Sequence, residues 1–355
     1  MRIVRARCWK ENLELTKPYT IAYRTISSVE NLFIYLETDR GLYGIGSGSP
    51  AAFVTGEHIE ESLAVLQDVL ESLVLEQDVR YFHAILQRTK NHLSRFPAAR
   101  AAVGIAMHDL FAKFLGIPLT DYWGRVHKGL PTSITIGIKS VQETLDEAEA
   151  NVQLGFRIIK LKTGRDVEQD IMLLAKLREK VGPAVKIRID ANQGYDIRSL
   201  QYFAKQTQQL DVEFFEQPFP PGQLDLMREL PAELRQKCAA DEDLLSSVNA
   251  VQLAQKPYPY GIFNIKLMKC GGLYEARRIA GIAEDHHFDL MWGCNDESIV
   301  SISAALHLAL ASPATRYLDL DGSFDLARDV VSGGFILKDG YLYTNDKPGL
   351  GVELK

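Results

Sequence analysis

Residues 156–190 read FRIIKLKTGRDVEQDIMLLAKLREKVGPAVKIRID. The stretch opens on a β-rich run, Phe156–Lys162, passes through a helical segment and closes on a second β-rich run, Val185–Asp190. A strand, a crossover helix and two loops fill a βα unit of this length. The same texture recurs on both sides. Further β-rich runs lie at Ser133–Ile138, Val212–Glu216, Lys237–Asp241, Ile262–Leu267, Phe288–Gly293 and Arg316–Asp321. Their intervals are about 25 to 28 residues, the length of one βα unit. Eight such units in series are what a closed parallel barrel requires. No sequence repeats from unit to unit, which excludes a solenoid. An open doubly wound sheet would carry a Gly-rich phosphate turn after its first strand, and Lys162-Thr-Gly-Arg165 does not fit one.

Before the barrel the texture differs. Asn31–Glu37 (NLFIYLE) is β-rich, Asp39-Arg-Gly41 is a turn, and Leu42–Ile45 returns as a second strand. Helical stretches follow at roughly 57–75, 79–93 and 97–115. The last, ARAAVGIAMHDLFAKFLG, stops at Gly116 with Pro118 just beyond. After the barrel, about 334–353 is β-like again (GFILKDGYLYTND). The expected division is an α+β region at 1–125, the barrel at 126–329, and a tail at 330–355 that returns to the first region.

Bulk composition narrows the classes. The chain has 355 residues, 46% hydrophobic and 24% charged, with a net charge of −6. That is ample for a large core. With no dense Lys/Arg block, the mild acidity argues against nucleic acid as a partner. The four cysteines, Cys8, Cys238, Cys270 and Cys294, are scattered, as in a reduced compartment. The N-terminus lacks an apolar signal segment, and no run is long enough to span a membrane. The expectation is a soluble cytoplasmic homo-oligomer with a small-molecule substrate.

The chemistry collects at the strand ends, where barrel active sites form. The second run ends Lys160-Leu-Lys162, and alternation puts both lysines on one face. The third ends in Asp190, with Asn192 after it; the fourth ends in Glu216, the fifth in Asp241. The sixth carries Lys266, the seventh leads to Asp296, and the eighth carries Asp319 and Asp321. A single strand-end carboxylate is as often a helix N-cap, and a single lysine is usually a surface charge. Three acids on consecutive strands, flanked by lysine-bearing strands, are harder to explain that way. Charges so placed need a ligand or opposite charge. Asp190, Glu216 and Asp241 offer three hard oxygen donors, suited to Mg²⁺ with Mn²⁺ as a substitute. No His or Cys joins them, which argues against zinc. A divalent ion facing a substrate carboxylate would stabilise the dianion left when the adjacent carbon loses its proton. Lys162 and Lys266, across the barrel from each other, would remove and return that proton. Lys160 and the metal charge would lower the pKa of the base.

The runs IIKLKTG, RIDANQGY, FFEQPFP, AADEDL and IFNIKLMKCGG resemble the muconate-lactonising subgroup of the enolase superfamily. The resemblance extends to AAVGIAMHDLFAKFLGIPL and to the SPAAFVTGE loop, and so covers essentially the whole chain. It implies an α/β modified TIM barrel, (β/α)7β, with an α+β capping domain built from the N-terminal region and C-terminal tail. Within the subgroup, Asp319-Leu-Asp321-Gly-Ser resembles the DxD motif of dipeptide epimerases. By that resemblance Asp319 and Asp321 hold a substrate ammonium, which paired carboxylates match well. The late-strand segments look like the branch acting on cationic dipeptides, in which Asp296 would meet a substrate side chain; capping a helix is its other reading. Against that branch, Ala51-Ala52 stands where some relatives carry an acid. Tyr19–Arg24 and Ala51–Thr55 are the expected lid loops, with Tyr19, Arg24, Thr55 and Asn192 as substrate contacts. The alternatives are an N-acyl amino acid racemase, an o-succinylbenzoate synthase or a cycloisomerase, whose substrates bring no ammonium to a DxD pair. A non-catalytic binding protein on a degenerate barrel is opposed by the complete set of lysines and acids. The histidines, His108, His286, His287 and His307, read as packing residues away from the site.

Overall fold

The computed structural model describes residues 1–16, 19–21, 24–52 and 54–355, with only the backbone described at 19–21 and 24–26. The chain opens with β1 (Ile3–Asn12), a hairpin of β2 (Tyr19–Ile21) and β3 (Arg24–Ile26), then β4 (Glu30–Thr38) and β5 (Tyr43–Gly48). Strands β1, β4 and β5 form an antiparallel sheet in that order. On it pack α1 (Ile59–Val74), α2 (Phe82–His92) and α3 (Pro97–Leu115), sharing a core of Leu32, Ile34, Leu66, Ala102 and Val103.

The β5 sequence, YGIGSG, explains why α3 is so rich in alanine. A Cβ on Gly46 would stand 1.9 Å from the Ala102 carbonyl oxygen. On Gly44 and Gly48 it would stand 2.3 Å from those of Ala106 and Ala98. Strand and helix backbones therefore touch along a seam that admits no side chain on the strand. The sequence pattern predicts this strand only to Ile45, and glycine is a poor strand former. The close packing of α3 overrides that preference, and the strand runs on to Gly48.

After α4 (Leu119–Trp123) and β6 (Leu130–Pro131) the barrel begins: β7 (Ile134–Ile136), α5 (Val141–Gln153), β8 (Ile158–Lys162), α6 (Val167–Val181), β9 (Lys186–Asp190), α7 (Ile197–Gln206), β10 (Val212–Glu216). It continues through α8 (Leu224–Glu229), α9 (Ala232–Gln236), β11 (Cys238–Ala240), α10 (Ser247–Leu253) and β12 (Ile262–Ile265). The final members are α11 (Leu267–Cys270), α12 (Leu273–His286), β13 (Asp289–Trp292), α13 (Ile299–Ala309) and β14 (Thr315–Leu318). Among the described residues, β7 to β14 pair in parallel and in sequence order. The ring closes where the Ser133 N–H donates to the Leu318 carbonyl at 3.1 Å, beside a Thr132–Leu318 bridge. No helix follows β14 before the tail strands, so the architecture is (β/α)7β, as the resemblance implied.

Period-two alternation places the site. Two residues before each acid, a side chain plugs the barrel one layer below: Arg188 below Asp190, Phe214 below Glu216, Ala239 below Asp241, Tyr317 below Asp319. Phe214, Ala239, Ile262 and Met291 form one buried cluster, against which Tyr317 packs. Arg188 is almost wholly buried there. It is satisfied by Glu213 at 2.9 Å and the Leu318 carbonyl at 2.7 Å, with its guanidinium over the Phe214 and Tyr317 rings. The polar layer above thus rests on a packed floor.

The tail forms β15 (Val331–Gly333), β16 (Phe335–Lys338), β17 (Tyr341–Thr344) and β18 (Val352–Leu354). Strand β15 pairs with β18, and the β16–β17 hairpin joins β6. Asp109 of α3 accepts from the Ile45 N–H at 3.0 Å and the Leu350 N–H at 2.8 Å, tying strand, helix and tail together. No described helix is long and apolar enough to cross a membrane.

Candidate active site

Several strands end earlier than their sequence pattern suggests. Asp241 follows β11, Lys266 follows β12, and Asp319 and Asp321 lie in the loop after β14. The chain leaves the sheet there to build βα loops, so these side chains keep the barrel direction without belonging to the ladder.

The residues chosen from the sequence largely converge. Lys160 Nζ lies 2.7 Å from Asp319 Oδ2, 2.8 Å from Glu216 Oε2 and 3.0 Å from Asp190 Oδ2. Lys162 Nζ is 2.6 Å from Asp190 Oδ2, and Lys266 Nζ is 2.8 Å from Asp241 Oδ2. Lys160, Lys162, Asn192, Asp241, Lys266, Asp296, Asp319 and Asp321 line one cavity. Asp190 and Glu216 are at most 1% exposed and sit at its base. Lys162 and Lys266 approach from opposite flanks of the acids, from β8 and from the end of β12.

Electrostatics follow from this crowding. Burial alone would lower the Lys160 pKa, but Asp319, Glu216 and Asp190 outweigh it and hold the group well above the usual lysine range. Lys266 is likewise raised, by Asp241 and Glu216 against burial. The surrounding carboxylates therefore favour the charged form of both Lys160 and Lys266. Asp190 is depressed by Lys162 and Lys160 despite burial, and Asp241 by Lys266 and Lys269. Glu216 is raised, first by burial and then by Asp190. Asp321 is raised by burial and by Asp319.

The donor set fits a hard divalent cation. Asp190 and Glu216 end adjacent strands and Asp241 follows the next, and the three bring only carboxylate oxygens. Glu242 Oε2 and Asn192 Oδ1 are buried without a hydrogen-bond partner, while Glu216 Oε2 already meets the Lys160 ammonium, so the first two favour a cation or donor nearby. Asp190 and Glu216 converge on Lys160 while Asp241 turns to Lys266 and Lys269. Among the described residues the acids thus meet ammoniums rather than a common point.

The remaining sequence candidates divide. Asp319 accepts from Ser133 Oγ at 2.7 Å as well as from Lys160, and Asp321 from the Thr135 N–H at 2.7 Å. Asp296 does not cap α13; Ser298 does, accepting from the Val300 N–H. The Asp296 carbonyl instead accepts from Ser49 Oγ at 2.9 Å, fastening the barrel loop to the β5 end. The Thr55 hydroxyl is engaged with Ala51 in its own turn, and Val54 reaches the cavity wall. The Tyr19 and Arg24 side chains lie outside the described residues, as does Phe53 of the second lid segment. His108 and His307 are buried in helices, with burial pushing both pKa values down to about 4. Sequence reasoning missed Asn264, Lys269, Glu242 and Thr135. Asn264 precedes Lys266 by two residues, so the same alternation that found the lysine pairs could have found it.

Residues 3–124 match the N-terminal domain of mandelate racemase and muconate lactonizing enzymes, and residues 143–355 match the enolase C-terminal domain-like family. An L-Lys-D/L-Arg epimerase of Desulforapulum autotrophicum is 53% identical over 99% of each chain. The structure of a dipeptide epimerase from Methylococcus capsulatus, complexed with Mg and the dipeptide L-Arg-D-Lys, superposes with a TM-score of 0.97 at 50% identity, covering 99% of each chain. A substrate-liganded L-Ala-D/L-Glu epimerase from Bacillus subtilis superposes at 0.94 with 30% identity, again over 99% of each chain. The resemblance read from the strand-end motifs thus holds along the whole length: the chain belongs to the enolase superfamily, within the mandelate racemase and muconate lactonizing enzyme family.

Proposed function

We propose that this chain is a metal-dependent epimerase of cationic dipeptides, inverting the α-carbon of the C-terminal residue by a two-lysine 1,1-proton transfer. The observation that carries the proposal is the pair Lys162 and Lys266 on opposite flanks of three acids, in a cavity also lined by Asp319 and Asp321. Mg²⁺ held by Asp190, Glu216 and Asp241, with Mn²⁺ as a substitute, would supply the positive charge that stabilises the substrate carboxylate as the neighbouring carbon loses its proton.

The chain's own residues do the rest. One lysine, as the neutral amine, takes the α-proton: a C–H bond breaks and an N–H bond forms. The other, as the ammonium, delivers a proton to the opposite face and restores the C–H bond inverted. The two exchange roles for the opposite epimer, and solvent resets their protons. Asp319 and Asp321 take the ammonium of the N-terminal residue, while Asp296 meets a cationic side chain. Asn192 and Val54, which line the cavity, complete the substrate's surroundings. The cationic preference is supported by the relatives in Desulforapulum and Methylococcus. A cytoplasmic location is supported by the four unpaired cysteines, and the lack of a nucleic-acid partner by the acidic balance.

A dipeptide library incubated in deuterated water with Mg²⁺ tests the reading. Dipeptides with Lys or Arg side chains should gain one mass unit first. Gain confined to N-acylated amino acids, which bring no ammonium, would move the chain to the racemase alternative.

A further inference from the structure

Asp241 receives two ammoniums from one helical turn. Lys266 stands at the start of α11 and Lys269 three residues on, so both project to the same side. Lys266 faces the cavity and meets Asp241 Oδ2 at 2.8 Å. Lys269 does not reach the cavity. Its side chain is 0% exposed, and its Nζ donates to Asp241 Oδ1, to the Asp241 carbonyl and, at 3.2 Å, to the Asn264 carbonyl. Three N–H groups thus meet three acceptors, as a buried ammonium requires. No donor is left for a ligand.

These contacts extend to a second acid. Asn264, whose carbonyl takes Lys269, donates its side-chain amide to Glu216 Oε1 at 2.7 Å. The Asp241 N–H donates to Gln217 Oε1 at 2.9 Å, which fixes the backbone from the other side. A Cβ on Gly293 would stand 2.6 Å from Asn264 Oδ1, so the neighbouring strand also leaves no slack. Asp241 is held at Oδ1, at its carbonyl and at its N–H. Only Oδ2 faces the site.

We propose that Lys269 is the positioning residue of the metal centre: it locks Asp241 by Oδ1 and the main chain, so that Oδ2 alone is offered to the divalent cation and to Lys266. The inference rests on the metal assignment made above. It also has a sign that a bystander charge would not give. Removing a positive charge beside a cation site strengthens cation binding by simple Coulomb repulsion. Removing a positioning residue weakens it, by about 10–100-fold for the partners that orient a ligand.

The test is calorimetric titration of Mg²⁺ into the full-length chain without substrate, for the wild type, Lys269→Met and Lys269→Arg. The Met variant should bind Mg²⁺ at least about tenfold more weakly. The Arg variant, which keeps charge and donors, should recover part of the loss. If the Met variant does not fold, Lys269→Gln, which keeps a donor without the charge, takes its place. Equal or tighter Mg²⁺ binding in a folded Met or Gln variant overturns the assignment of Lys269 while leaving the epimerase reading intact. A wild type that binds no Mg²⁺ overturns the metal reading itself, and this inference with it.

Discussion

At the scale of single residues, the account assigns separate jobs to groups that lie within a few ångströms of one another. Lys162→Ala or Lys266→Ala should abolish net epimerisation, a loss of at least about 10²–10⁴-fold in kcat. Each variant should still wash solvent deuterium into one substrate epimer and not the other. Proton NMR of the two epimers, run separately, checks this; full activity in both variants would end the two-base mechanism. Asp321→Asn should reduce kcat/KM for dipeptides by about 10–100-fold, the value of a hydrogen bond to a charged group. N-acylated analogues should be much less affected, and steady-state kinetics on matched pairs makes the comparison. These residues were legible because strand alternation and strand-end position are local rules: Lys160-Leu-Lys162 declares a common face without knowledge of the fold. Lys269 was not legible. Its main acceptor, Asp241, becomes its neighbour only when β11 and β12 pair. Asp296 was half legible: its place after β13 was evident, but that Ser298 rather than Asp296 caps α13 was not.

At the scale of elements, the sequence located every barrel strand and the three long N-terminal helices, with errors at the ends. The run Val212–Glu216 matched in full, while Arg316–Asp321 proved to be Thr315–Leu318 followed by a functional loop. Strand ends blur because a β-rich side-chain pattern can outlast the hydrogen-bond ladder. The seam between β5 and α3 was invisible for a different reason. Glycine at 44, 46 and 48 argues against a strand by propensity, and only the Ala98–Ala102–Ala106 ridge opposite makes it necessary. That seam should be intolerant. Gly46→Ala puts a methyl group 1.9 Å from the Ala102 carbonyl. It should cost about 1–3 kcal/mol or more, because backbone rather than a flexible side chain must yield. Chemical denaturation would show this as a lower midpoint; an unchanged midpoint would mean that strand and helix are not in contact there.

At the scale of the whole molecule, the N-terminal sheet meets the barrel beside the cavity, where Ser49 and Asn31 grip the loop carrying Asp296 and Ser298. Buried Glu297 lies in that grip, and burial raises its pKa to about 7 from an ordinary 4.5. A carboxyl whose folded pKa is raised binds more protons folded than unfolded, so its ionisation opposes folding. Stability from this group is greatest below about pH 4.5, falls as pH rises through the window to about 7, and is level above it. Glu297→Gln should flatten the fall of the thermal midpoint across that window, as scanning calorimetry at stepped pH would show; an unchanged slope would place the effect elsewhere. The barrel floor, the acids above it and the capping sheet together enclose a site whose central claim is inversion at one carbon. The most direct measurement follows both epimers of a dipeptide with a cationic C-terminal residue by NMR, in deuterated water with Mg²⁺. The account predicts deuterium at the α-carbon of the C-terminal residue from either epimer, together with formation of the opposite epimer and no exchange at the N-terminal α-carbon. Exchange at the N-terminal residue, or exchange without inversion in the wild-type enzyme, would contradict it.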